Sequence, residues 1–167
     1  MGFAVGLPLV VFLAILQSAV FSHLGLFEGR PDLVLLAVVA WSLAGRTHEA
    51  MAWGFAGGLA LDLLSGLPLG ISALSLVAIA YLASLTEGRF WEGHLLVPVG
   101  AALLGGLLFH AIELAALWLS GHPLDLAVAA ARILLPSLFL DVVLAIPALQ
   151  AASSMREALF PPKVTVG

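Results

Sequence analysis

Cysteine and asparagine are both absent from this 167-residue chain, and only 10% of its residues are Asp, Glu, Lys or Arg. Without cysteine there is no disulfide framework, no thiolate metal site and no catalytic thiol. A soluble domain carries roughly 25% charged residues, and so few charges cannot clothe a water-facing surface. Six basic residues and a formal charge of −4 leave no basic patch for nucleic acid or anionic lipid. The apolar–polar alternation of a membrane β-barrel is missing too, since stretches such as Leu33 to Trp41 are apolar throughout. What is present is apolar bulk: 62% hydrophobic residues and a mean hydropathy of +1.16. The fold class is an all-α integral membrane protein.

A hydrocarbon core about 30 Å thick needs roughly 20 apolar residues per helix, so the chain holds about six spans and no sizeable soluble domain. They read as Gly2–Ser22, Pro31–Gly45, Ala50–Ser65, Ile71–Thr86, Leu95–Ser120 and Leu124–Ser154. That makes one polytopic domain over residues 1–155 and a short cytoplasmic tail over 156–167. The first segment lacks the basic start of a signal peptide and is read as a retained helix. Pro31 sits where a first helical position favours proline. The second span is the shortest, roughly 22 Å at 1.5 Å per residue. It must be extended by its flanks, thin the bilayer, or be shielded by protein. His23 to Arg30, Arg46 to Glu49 and Glu87 to His94 read as loops, with Phe90 and Trp91 suited to the membrane interface. Pro136 and Pro147 lie inside the sixth span and predict a bend. With six spans, Arg46, Arg89, Arg156 and Lys163 fall on the side of the termini and Arg30 on the other. This distribution places both termini in the cytoplasm.

Ionisable residues inside spans are costly and turn toward protein or water. Here they are Asp62, Glu113, Arg132 and Asp141, joined by Gln17 and His110. Asp62 and Asp141 raise the possibility of an intramembrane aspartyl peptidase. The signature of the similarly sized lipoprotein signal peptidases includes asparagines, however, and a carboxylate dyad needs a separation of roughly 3 Å. His110 and Glu113, three apart on one helical face, suit either two legs of a metal site or a hydrogen-bonded pair. His23, His48, His94 and His122 lie in or beside turns. Counting from the turn at Gly121, Glu113 and Arg132 lie at matching depths of roughly 12 and 13 Å. This predicts an interior Glu113–Arg132 ion pair, with Asp62 and His110 as second partners and Asp141, about 13 Å deeper, outside the cluster. Gly54, Gly57 and Gly58, together with Ala101 and Gly105, form small-residue faces that suit close helix packing within the bundle or against a partner helix. No metal or cofactor is expected.

Pro31-Asp32-Leu33 opening the second span, Gly54-Phe55 to Gly58-Leu59 and Asp62 closing the third, and Leu69-Gly70 opening the fourth, with Tyr81 beyond, form an ordered set over residues 31–85. In this order and spacing the chain resembles the bacterial rod shape-determining protein MreD family. The resemblance implies a non-catalytic inner-membrane protein of the machinery that elongates the peptidoglycan wall. It implies work beside the bitopic protein MreC, MreB filaments, the glycosyltransferase RodA and its penicillin-binding transpeptidase. The implied fold is a six-helix bundle similar to the substrate-binding components of energy-coupling-factor transporters. From that similarity comes an alternative role, a vitamin-like small-molecule binding subunit. The sparse polar residues count against it, because such a ligand needs several convergent donors and acceptors.

Overall fold

The computed structural model describes residues 2–19, 30–66, 68–85, 96–121, 128 and 130–160. They form six α-helices: α1 (Gly2–Ala19), α2 (Leu33–Leu43), α3 (Thr47–Ser65), α4 (Ile71–Ser84), α5 (Leu96–Leu119) and α6 (Leu135–Leu159). A π-helical turn, Ala130–Leu134, leads into α6. The predicted loops at residues 23–29 and 87–94, the start of the sixth span and the tail from Pro161 lie outside the described residues.

Three of the helices, α1, α5 and α6, have the length and hydropathy to cross a membrane. The second differs from all of them. It has 11 residues, about 16 Å of rise, which is half of a hydrocarbon core about 30 Å thick. From Val34 to Leu43 every side chain except Ala37 is buried, and α2 touches each of the other five helices. A helix apolar on all sides belongs in the middle of a bundle. Of the three ways to accommodate a short second span, shielding by protein is the one observed. Across this centre the Ser42 hydroxyl donates to the Ala80 carbonyl of α4 at 2.7 Å. Trp41 of α2 stacks on Trp53 of α3 with ring centroids 4.5 Å apart.

The outside of the bundle carries many large apolar side chains, while several carboxylates lie inside. Asp62 is 2% exposed while the next residue, Leu63, is 72% exposed, and Leu96 reaches 80%. Such an exterior fits a lipid solvent and not water.

Small residues set the helix spacing. A Cβ on Gly58 would run into the Ala73 backbone of α4, and one on Gly54 would stand 3.1 Å from the Leu76 carbonyl carbon. Gly57 faces Val34 and Val10, and Gly105 faces Ile79 at 3.2 Å. These four glycines are therefore spent on packing inside the bundle. Ala101 differs: it is half-buried and lines a groove between α4 and α5. Pro147 lies inside α6, and Pro136 follows directly on the π-helical turn in one unbroken helical run, Leu134 keeping φ −65° and ψ −50°. Both prolines expected inside the last helical run are there, and each removes an N–H from its ladder.

Arg46, in the turn between α2 and α3, lies over the Phe160 ring that follows α6, 3.4 Å from its centroid. The other end of the bundle carries the tight turn from α3 to α4. There Gly66 and Gly70 take φ of +72° and +99°, which L side chains adopt only at a cost.

Candidate functional site

The sequence at the start of α2 dictates what gathers around it. Because α2 covers only about 16 Å, its first turn lies deep in the bundle, and Pro31 and Asp32 are buried there. The orphan N–H groups of that turn must find partners inside protein. Asp32 does not cap its own helix. Gln17 of α1 does so instead, its Oε1 accepting from the Val34 N–H at 3.3 Å while its Nε2 donates to Asp32 Oδ1 at 2.9 Å. The Asp32 N–H donates to Asp141 Oδ1 of α6 at 2.7 Å. One residue pair earlier, the Arg30 N–H donates to Ser137 Oγ at 3.0 Å.

His110 of α5 completes the centre. Its Nε2 stands 2.9 Å from Asp32 Oδ2, and its Nδ1 lies 3.6 Å from Glu113 Oε2. The shorter approach lacks hydrogen-bond alignment: Asp32 Oδ2, His110 Nε2 and Asp141 Oδ2 are all buried without a hydrogen-bond partner. Glu113 Oε1 accepts from Ser72 Oγ at 3.4 Å. Ser72 leads on to Asp62, whose Oδ1 and Oδ2 take the N–H groups of Ser72 and Gly70 at 2.9 and 2.8 Å. All six helices thus contribute a polar group to one connected cluster. A cavity of about 380 Å³ opens beside it, lined among others by Gln17, Arg30, Asp32, His110, Glu113 and Ser137.

Three sequence expectations change here. Asp141 is a founding member of the cluster, not an outsider, because the short α2 carries Asp32 down to its level. Arg132 is exposed on the π-helical turn and does not face the interior. A π turn adds a residue relative to α geometry, rotating what precedes it by about 100°, which a straight-helix projection misses. Asp62 is the side-chain cap of α4 and reaches Glu113 only through Ser72. The two aspartates of the peptidase reading, Asp62 and Asp141, therefore serve different partners. His110 and Glu113 do meet, as their spacing required.

Asp32 is the residue that sequence reasoning used as a helix opener without giving it a role. The signal was available: an aspartate ahead of an apolar run too short to span must begin within the membrane. Gln17 is a polar side chain in an otherwise apolar span, and it too had no assigned part.

Six helices with large apolar side chains on the outside, an apolar core and one buried cluster of ionisable groups define a polytopic helical membrane protein. A family model described as rod shape-determining protein MreD matches residues 2–150. The chain belongs to this family and is a rod shape-determining membrane protein, from a family not known for enzymatic activity. No solved structure matches the chain, so the similarity to energy-coupling-factor components rests on the sequence resemblance alone.

Proposed function

We propose that this protein is a non-catalytic scaffold of the cell-wall elongation machinery in the bacterial inner membrane. In this reading both termini are cytoplasmic and residues 1–155 act as one membrane domain. The domain holds the transmembrane helix of an MreC-like bitopic partner and through it engages RodA, its transpeptidase and MreB filaments. The observation that carries the reading is the family match along residues 2–150. The α4–α5 groove supports it: about 450 Å³ in volume, it is lined by Ile79, Leu82, Gly100, Ala101, Leu104 and Leu108. A Cβ on Gly100 would meet nothing within 4 Å, so a small-residue edge is still open to a neighbouring helix. The excess of Lys and Arg on the side of the termini supports the orientation.

The tests are depletion of the protein in cells and, separately, its purification from the native membrane in mild detergent. Loss of rod shape, together with an MreC-like protein in the preparation, is the expected result. A photo-crosslinking residue at Leu104 should capture that partner, and one at the buried Val38 should not. A tightly bound vitamin-like molecule and no bitopic partner would overturn the scaffold in favour of a transporter subunit.

A further inference from the structure

We propose that Asp32, His110 and Asp141 form a binding site for one divalent first-row transition-metal ion, of which Zn²⁺ is the representative. The inference stands on the local geometry and not on the scaffold role.

One donor atom from each of the three residues lies within 4.8 Å of the other two. Each residue spends one atom on a supporting contact and leaves its second atom unpartnered. Asp32 Oδ1 is held by Gln17, Asp141 Oδ1 by the Asp32 N–H, and His110 Nδ1 faces Glu113. The atoms left over are Asp32 Oδ2, Asp141 Oδ2 and His110 Nε2. Asp141 is 0% exposed and Asp32 6%, so water does not satisfy these carboxylates from bulk. Unmet acceptors at this depth are costly.

A metal-ligating histidine turns its other ring nitrogen to a carboxylate or carbonyl, which fixes its tautomer and orientation. Glu113 stands in that place. With metal–donor distances of about 2.0–2.1 Å, neighbouring ligands sit about 2.9–3.4 Å apart, and the 2.9 Å between His110 Nε2 and Asp32 Oδ2 falls at the lower edge. An imidazolium–carboxylate pair at this distance would align its N–H with the oxygen, and this one does not. Charge points the same way. Asp32, Glu113 and Asp141 bring three carboxylates together and Asp62 is linked to them through Ser72, while Arg30 at the cavity wall is exposed; a dication would offset much of this negative charge. One imidazole with two carboxylates favours a transition metal over Mg²⁺ or Ca²⁺. The adjoining cavity is lined by Asp32 and His110, two of the three ligands. His110 thus joins a ligand set, though with Asp32 and Asp141 and with Glu113 behind it.

The test uses the full-length protein in detergent, stripped with chelator and titrated with Co²⁺ and Zn²⁺. One ion per chain and a saturable Co²⁺ visible absorption band, displaced by Zn²⁺ and not by equimolar Mg²⁺, are expected. Replacing His23, His48, His94 and His122 together with Gln should leave the band unchanged. Asp141→Asn or His110→Gln should weaken binding by about 100-fold or more, and Glu113→Gln by about 10–100-fold, as loss of a supporting carboxylate does. X-ray absorption of the Zn²⁺-loaded parent reads the ligand set without any substitution, and one imidazole with oxygen donors is expected. No saturable binding, binding that survives in folded Asp141→Asn and His110→Gln, or a site with two or more imidazoles would each overturn the proposal.

Discussion

Asp62 offers the sharpest test of the architecture, because its role as a cap and any role in chemistry lead to different results. Its two oxygens take the N–H groups of Gly70 and Ser72 at 2.8 and 2.9 Å. Hydrogen bonds to an ionised group contribute about 1.5–3 kcal/mol each. The two bonds are not equal in replaceability. Ser72 is fully buried, so after Asp62→Ala its N–H has no water to turn to and the full cost of about 3 kcal/mol applies. Gly70 is half-buried, and water recovers most of its bond, leaving about 1 kcal/mol. Asp62→Ala should therefore destabilise the bundle by about 4 kcal/mol. Asp62→Asn keeps one acceptor, which can serve the buried Ser72 N–H, and should cost only about 1–2 kcal/mol, since its amide N–H₂ cannot serve Gly70. Thermal and denaturant unfolding in detergent micelles, followed by circular dichroism, would measure both. An Asp62→Ala protein within about 1 kcal/mol of the parent would refute the capping argument.

Other expectations follow from the packing and topology. Gly58→Ala sets a methyl against the Ala73 backbone, which cannot rotate away, and should cost about 2–3 kcal/mol. Gly57→Ala sets a methyl 2.6 Å from Cγ1 of the β-branched Val34 and 3.3 Å from Cβ of Val10, both fully buried, and should cost about 1–3 kcal/mol; a Gly58→Ala protein as stable as the parent in unfolding assays would contradict the close α3–α4 approach. Trp41→Phe keeps a ring against Trp53 but loses the 3.0 Å bond from Nε1 to Glu49. It should cost about 1–2 kcal/mol, against about 3–5 kcal/mol for Trp41→Ala, in the same melts. Thr47→Cys should resist an impermeant thiol reagent added from the periplasmic side, and efficient labelling there would sink the proposed orientation.

The six helices and most of their boundaries were legible because apolar run length and glycine–proline punctuation are local signals. Gly66 and Gly70 announced the α3–α4 turn, and the Pro31–Asp32 pair announced the start of α2. The polar cluster was only half legible. His110 and Glu113 sit three apart on one helix, so their contact needs no tertiary knowledge. Asp141 and Asp32 are far apart in sequence, and their meeting depends on how deep the short α2 begins. The position of Arg132 was unreadable for a related reason: a π turn looks like an α turn in sequence, yet it rotates the residues before it. Glycine patterns revealed where close contact occurs, but not whether the neighbour belongs to the same chain. Gly54 and Gly58 face α4, while Gly100 remains open.

The depth at which α2 starts also bears on how the protein is made. Among the described residues, only α1, α5 and α6 combine the length and hydropathy of independent spans, so an insertion machine reading the chain as it emerges meets a weak signal at α2. Left alone in lipid, its 11 residues would leave the Asp32 carboxylate and several backbone N–H groups without partners. Those partners come from Gln17, made earlier, and from His110 and Asp141, made later. The second helix is thus stable only after the sixth has arrived. Assembly must keep the early helices together, sheltered from bulk lipid, until nearly the whole chain has been synthesised. A chain stopped after α4 should be cleared by membrane proteases and not accumulate as a four-helix fragment.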